Sequence, residues 1–175
     1  VAEGDVFVWG HSRLAGAAEE HLATHGLKGD EEYVPDVETP TRLKKGFGLQ
    51  KVRVIAAGFC HCLAITEEAV MFAWGDGTKG QLGNGSLKCS MDPQPISHPT
   101  DVKSISAGEE HSACIIGGGE SYTWGNAEGG RLGQGGCLTE GNQLQPKQVA
   151  ILDSEEDVLL RSVSCGSQHT ALVTE

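Results

Sequence analysis

The residues best suited to chemistry are three histidines in Gly-x-x-His turns: His61, His111 and His169. Imidazole is a general base, a proton shuttle and a metal ligand near neutral pH. Cys60 and Cys62 flank the first of them, which suggests a zinc site. Metal binding or catalysis requires such groups to converge on one point. Successive strand residues face opposite sides, so Cys60 and Cys62 point one way and His61 the other. Structural zinc also prefers two to four residues between its cysteines. The glycine run Gly80-Gln81-Leu82-Gly83-Asn84-Gly85 resembles a phosphate cradle. It lacks the Gly-Lys-Ser/Thr end and the following helix of a nucleotide-binding loop. No Ser-His-Asp set or paired carboxylates can be named, so neither a catalytic site nor a cofactor is expected.

The spacing gives these residues a different role. Gly58-Phe59-Cys60-His61, then Trp74-Gly75, then Gly80-Gln81-Leu82-Gly83 run in one order. The order recurs as Gly108-Glu109-Glu110-His111, Trp124-Gly125 and Gly130-Arg131-Leu132-Gly133. A third copy opens at Gly166-Ser167-Gln168-His169, and an earlier one is represented by Val8-Trp9-Gly10. A residue repeated in this way serves the repeat. Each histidine is therefore expected to be a buried imidazole bonded to a neighbouring backbone group. Trp9, Trp74 and Trp124 are expected to be packing residues with large apolar area.

Short apolar runs supply the elements. Strands are predicted at residues 6–9, 52–57, 61–66, 70–74, 102–107, 111–116, 120–124, 159–165 and 169–174, separated by glycine or acidic turns. Extended segments led by proline are expected near Gln94-Pro95-Ile96 and Pro146-Lys147-Gln148-Val149. The histidine landmarks recur at a period near 50 with about four short strands per unit. This points to an all-β chain of four-stranded antiparallel propeller blades, about three in number. The units fall at about 1–50, 51–101, 102–157 and an incomplete 158–175, within one partial propeller over 1–175. Residues 17–39 form an atypical insertion; a short helix is possible over Ala15 to His25, and Pro35 and Pro40 mark an exposed loop. The chain opens without an initiator Met or a signal-peptide pattern and reads as an excerpt of a longer polypeptide, with further blades expected there or from another subunit.

A formal net charge of −11 argues against nucleic acid and anionic membrane surfaces as partners. No apolar run reaches the length of a membrane span. The six cysteines are irregularly spaced and mostly sit in apolar strands, so a reduced, intracellular setting is expected.

Taken together, the landmarks resemble the repeats of the regulator of chromosome condensation family. Residues 80–85 match its Gly-Gln-Leu-Gly-x-Gly loop fully, and residues 130–135 match it with Arg131 in place of Gln. The resemblance implies a seven-bladed propeller, often closed by a strand from the other end of the chain. It also implies that the repeated residues are framework: Gly58, His61, Trp74, Gly75, Gly80, Leu82, Gly83, Gly108, His111, Trp124, Gly125, Gly130, Leu132, Gly133, Gly166 and His169. An ultraviolet-sensing member uses tryptophans beyond the Trp-Gly positions, and this sequence has none. Function is then expected where the copies differ, above all in the insertion, with Glu19, Glu20, Asp30, Glu31 and Glu32 as candidate partner contacts. The leading expectation is a protein–protein interaction scaffold. The alternative is guanine-nucleotide exchange on a small GTPase, as in the founding member, although no segment matches the wedge that exchange requires. A structural place in a large assembly is the third reading. Nucleosome binding, the founding member's other role, is disfavoured by the charge.

Overall fold

The computed structural model describes residues 3–10, 37–43, 45–135, 141–150 and 158–175. Its strands are β1 (Phe7–Gly10), β2 (Val37–Arg42), β3 (Val52–Ala57), β4 (His61–Thr66), β5 (Met71–Gly75) and β6 (Ser90–Ile96). They continue as β7 (Val102–Ala107), β8 (His111–Ile116), β9 (Ser121–Gly125), β10 (Gln143–Gln148), β11 (Leu160–Cys165) and β12 (Thr170–Thr174). All pairings are between antiparallel neighbours. Two complete sheets form, β3-β4-β5-β6 and β7-β8-β9-β10, together with two-stranded sheets β1-β2 and β11-β12. These four-stranded meanders are propeller blades, as the sequence pattern implies. The possible helix over residues 15–25 and the acidic residues 153–157 lie outside the described residues.

One expected loop is a strand. The segment around Pro40 pairs with β1, placing Phe7 opposite Arg42 and Val8 opposite Thr41. Pro40 sits in β2, Pro93 and Pro95 in β6, and Pro146 in β10. In each sheet this is the outer strand. Proline cannot donate a ladder hydrogen bond, and an edge strand tolerates it because one side of its backbone needs no partner. The prolines therefore mark the edge of each sheet rather than a break in it.

The core lies between sheets. Leu63, Ile65 and Met71 of one blade pack with Val102, Ile105, Cys114 and Trp124 of the next. Ala113 and Ile115 then pack with Leu160 and Val163 of the following pair. Full burial of a Leu or Ile contributes about 1.5–3 kcal/mol, so these seams hold one blade to the next. Each blade thus depends on its neighbour, as repeat arrays do.

Candidate functional site

Each Gly-x-x-His turn joins a hairpin, and those of β3–β4 and β7–β8 place their histidines at the seam with the next blade. His61 is buried, and its Nε2 lies 2.7 Å from Ser112 Oγ in the neighbouring blade. Ser112 Oγ donates its own proton to the carbonyl oxygen of Gln81 at 2.8 Å. The hydroxyl has only one proton, so at the imidazole it must accept. His61 is therefore the neutral tautomer protonated at Nε2, and its Nδ1 finds no donor among the described residues. The arrangement repeats: His111 Nε2 lies 3.0 Å from Thr170 Oγ1, which donates to the carbonyl of Arg131 at 2.8 Å. The bonded group is thus a side-chain hydroxyl of the next blade, where a backbone group was expected. An extended strand already commits its backbone to the ladder, which leaves the hydroxyl as the available acceptor.

Burial holds both imidazoles well below their ordinary pKa, each at about 4. After burial, the neighbouring His111 adds to the effect at His61, and the Arg131 guanidinium adds to it at His111. Each neutral ring spends its Nε2 proton across the seam, and its remaining lone pair, on Nδ1, is buried where no substrate reaches it.

The glycines make this closeness possible. A Cβ on Gly108 would fall on the His111 ring, and one on Gly166 on the His169 ring. A Cβ on Gly83 would come within 2.7 Å of Trp124 Nε1, and Gly83 has φ +69°. Trp124 is fully buried, and its Nε1 donates to the carbonyl of Gln81 at 2.8 Å. Trp74 is equally buried, with Phe47 edge-on at 5.8 Å. Gly75 and Gly125 share φ 103°, and a side chain on either would strike the turn before its histidine. Leu82 and Leu132 are buried. Gly80 packs on Leu144 of the next blade, whereas Gly130 has nothing within 4 Å among the described residues. His169, on the last hairpin, is exposed.

Cys60 donates its thiol to the carbonyl of Glu109 at 3.3 Å and receives Gln81 Nε2 at 3.6 Å. Burial raises the thiols of Cys60 and Cys62 to about 11, which leaves them protonated and poor ligands. Among the described residues no group of three or more His, Cys, Asp or Glu is arranged to hold a metal ion.

The tip of the Gly-x-x-His turn differs between copies and reaches the surface. The first variable residue of the turn is Phe59, Glu109 or Ser167. The three turns adjoin: Phe59 N–H donates to the carbonyl of Gly108, and Ser167 Oγ donates to the Glu109 carboxylate. Phe59 is 73% exposed on this ridge. Nearby, Glu110 accepts from Asn126 Nδ2 at 2.6 Å. The acidic residues Glu19, Glu20, Asp30, Glu31 and Glu32 lie outside the described residues. Sequence reasoning missed the hydroxyls of Ser112 and Thr170 and the apolar tip of the turn at Phe59. The available signal was the position after each histidine, which is Ser or Thr in two copies and Cys62 in the third.

A blade framework of this kind defines a propeller built from repeats. A family model described as the Regulator of chromosome condensation (RCC1) repeat matches residues 69–115 and 118–173, and a second of the same description matches 52–81. The chain belongs to the RCC1-repeat family. It is 35% identical over 97 residues to the human E3 ubiquitin-protein ligase HERC2, covering 54% of this chain and 2% of that one. It is 41% identical over 61 residues to the ultraviolet-B receptor UVR8 of Arabidopsis thaliana, covering 35% of this chain and 14% of the receptor. Among solved structures, Prp20p of Saccharomyces cerevisiae superposes with a TM-score of 0.77 at 22% identity, over 95% of this chain and 38% of Prp20p. Human WBSCR16 superposes at 0.75 with 28% identity, over 99% of this chain and 41% of its own. The chain therefore spans a minor part of each of these relatives. The work on Prp20p concerns its binding to Gsp1p and histones, and a further structure shows it with Kap60 bound.

Proposed function

We propose that this chain is a non-catalytic protein-interaction scaffold whose reading surface consists of the positions that vary between repeats. One observation carries this. In the two complete blades the repeated His and Trp and the Leu of the glycine loop are turned inward, while the turn at the same place varies and in one copy presents Phe59 at 73% exposure. Function grafted onto variable loops of a fixed frame is how such folds diversify. The contact surface is the turn ridge around Phe59 together with the acidic insertion bearing Glu19, Glu20, Asp30, Glu31 and Glu32. Net charge −11 favours a partner with a basic surface around an apolar recess. The whole protein works inside the cell on this reading, and its units follow the boundaries drawn from the repeat period.

Two assays test it together. Deleting residues 17–34, which spares Val37 and the β1–β2 pairing, should leave the folded baseline intact and remove at least one partner from in-cell crosslinking. If every crosslink survives both that deletion and Phe59→Asp, the surface assignment is wrong. Guanine-nucleotide exchange is the competing reading, suggested by the family and by the Prp20p fold. Nucleotide release from a panel of small GTPases should be unchanged by this chain, and acceleration would establish exchange instead.

A further inference from the structure

The loop between β5 and β6 carries the one Asn-Gly pair of the sequence, Asn84-Gly85. Such a pair can modify itself. The backbone nitrogen after the asparagine attacks the side-chain Cγ, so an N–C bond forms and the Cγ–Nδ2 bond breaks. Ammonia leaves with the proton of that nitrogen, and a five-membered imide remains. Water then opens the imide at either carbonyl, giving aspartate or isoaspartate. Glycine permits this ring because it has no Cβ to crowd it.

The structure holds both reacting groups, in opposite senses. Asn84 is exposed to water, and its Oδ1 accepts the Ser86 N–H at 3.0 Å. That bond draws electron density from the amide carbonyl and prepares Cγ for attack. The nucleophile is restrained. Gly85 N–H donates to the carbonyl of Leu144 at 3.0 Å. Leu144 lies in β10, so the acceptor belongs to the next blade. The bond keeps the proton that must leave and pins the peptide plane that carries the nitrogen.

The neighbouring glycines show how closely this loop is seated on that blade. A Cβ on Gly80 would come within 2.7 Å of Leu144 Cδ2, and one on Gly85 within 3.3 Å of Gln145 Nε2. The second blade lacks the chemistry. At the same place in its loop stands Gln134-Gly135. The extra methylene would demand a six-membered ring, and Gln134 Nε2 is turned inward, donating to the Thr123 carbonyl at 2.8 Å.

The products disturb the seam. The imide has no N–H to give Leu144. Isoaspartate adds a backbone carbon before Gly85, and either acid adds a negative charge to a chain already at −11. The same loop starts at the Phe59 turn, where Asp76 N–H donates to the Cys60 carbonyl at 2.8 Å.

We propose that Asn84 is a self-modification site gated by the seam between blades. While Gly85 is bonded to Leu144, the amide persists. When the seam opens, Asn84 converts to aspartate and isoaspartate with water as the co-reactant, and the isoaspartate form no longer closes on β10. The site thus records irreversibly how often this seam opens.

Peptide mapping by mass spectrometry tests this, with the protein held at neutral pH either folded or in guanidinium chloride. The Asn84 peptide should convert at least about tenfold more slowly in the folded protein, while Gln134 stays an amide in both. Leu144→Ala removes the side chain over Gly80 and leaves the reacting pair intact. It should speed conversion in the folded protein in step with hydrogen exchange at the Gly85 amide, and leave the denatured rate unchanged. The parent gives a reading that needs no variant: as denaturant is added below the unfolding midpoint, Gly85 exchange and Asn84 conversion should rise by the same factor. Equal conversion in the folded and denatured protein, or conversion that does not follow Gly85 exchange, would overturn the proposal.

Discussion

Ser112 and Trp124 share one acceptor: the hydroxyl of the first and the indole N–H of the second both reach the Gln81 carbonyl at 2.8 Å. That carbonyl belongs to the preceding blade, and His61 of the same blade closes the circuit on Ser112. The joint ties the Gly-x-x-His turn, the Trp-Gly strand and the Gly-x-Leu-Gly loop into one unit. This accounts for their recurrence in a fixed order.

Removing the shared hydroxyl should be costly. Ser112→Ala leaves His61 Nε2–H buried without an acceptor, a loss of about 1–3 kcal/mol. Thr170→Ser keeps a hydroxyl for His111 and should cost less than Thr170→Val. Urea denaturation midpoints of the three variants should rank in that way.

Glycines in equivalent loops should differ in tolerance. Gly83→Ala meets both a positive φ and the Trp124 indole, so it should cost clearly more than backbone strain alone. Gly135→Ala has φ +66° and open space around it, and should cost about 1–2 kcal/mol. Equal midpoints for the two would show that Trp124 does not press on Gly83.

Acid should loosen the seams. His61 and His111 have folded pKa values of about 4, below the unfolded value near 6.5. The unfolded chain therefore binds protons first as pH falls. Their stability contribution is complete above about pH 6.5 and is lost progressively toward pH 4, by up to about 3 kcal/mol for each ring. His61→Gln should flatten the slope of stability against pH over that window.

Much of this joint was legible in the sequence, for a physical reason. Burial and close approach leave few residue types able to serve, so Gly108, His111 and Trp124 recur and their spacing carries the fold. The hydroxyl link was harder to see, because Cys62 interrupts the series and the donor and acceptor lie 51 residues apart. The strand at Pro40 was hidden because proline ordinarily breaks structure, and only the sheet order reveals its edge position. The exposed Phe59 left no pattern, since a surface position is set by a partner rather than by the repeat.

Phe59 should separate folding from binding. Phe59→Ala should shift stability by less than about 0.5 kcal/mol because the side chain is mostly solvated. The same variant should weaken capture of a crosslinked partner, measured against the parent at equal concentration.

The claim that the repeated histidines are structural joints is tested most directly by following their ring nitrogens by NMR through a pH titration. His61 and His111 should remain neutral and protonated at Nε2 down to about pH 5, with titration midpoints near 4. Midpoints near the ordinary 6.5, or a proton on Nδ1, would contradict the joint and return these histidines to the list of candidate reactive groups.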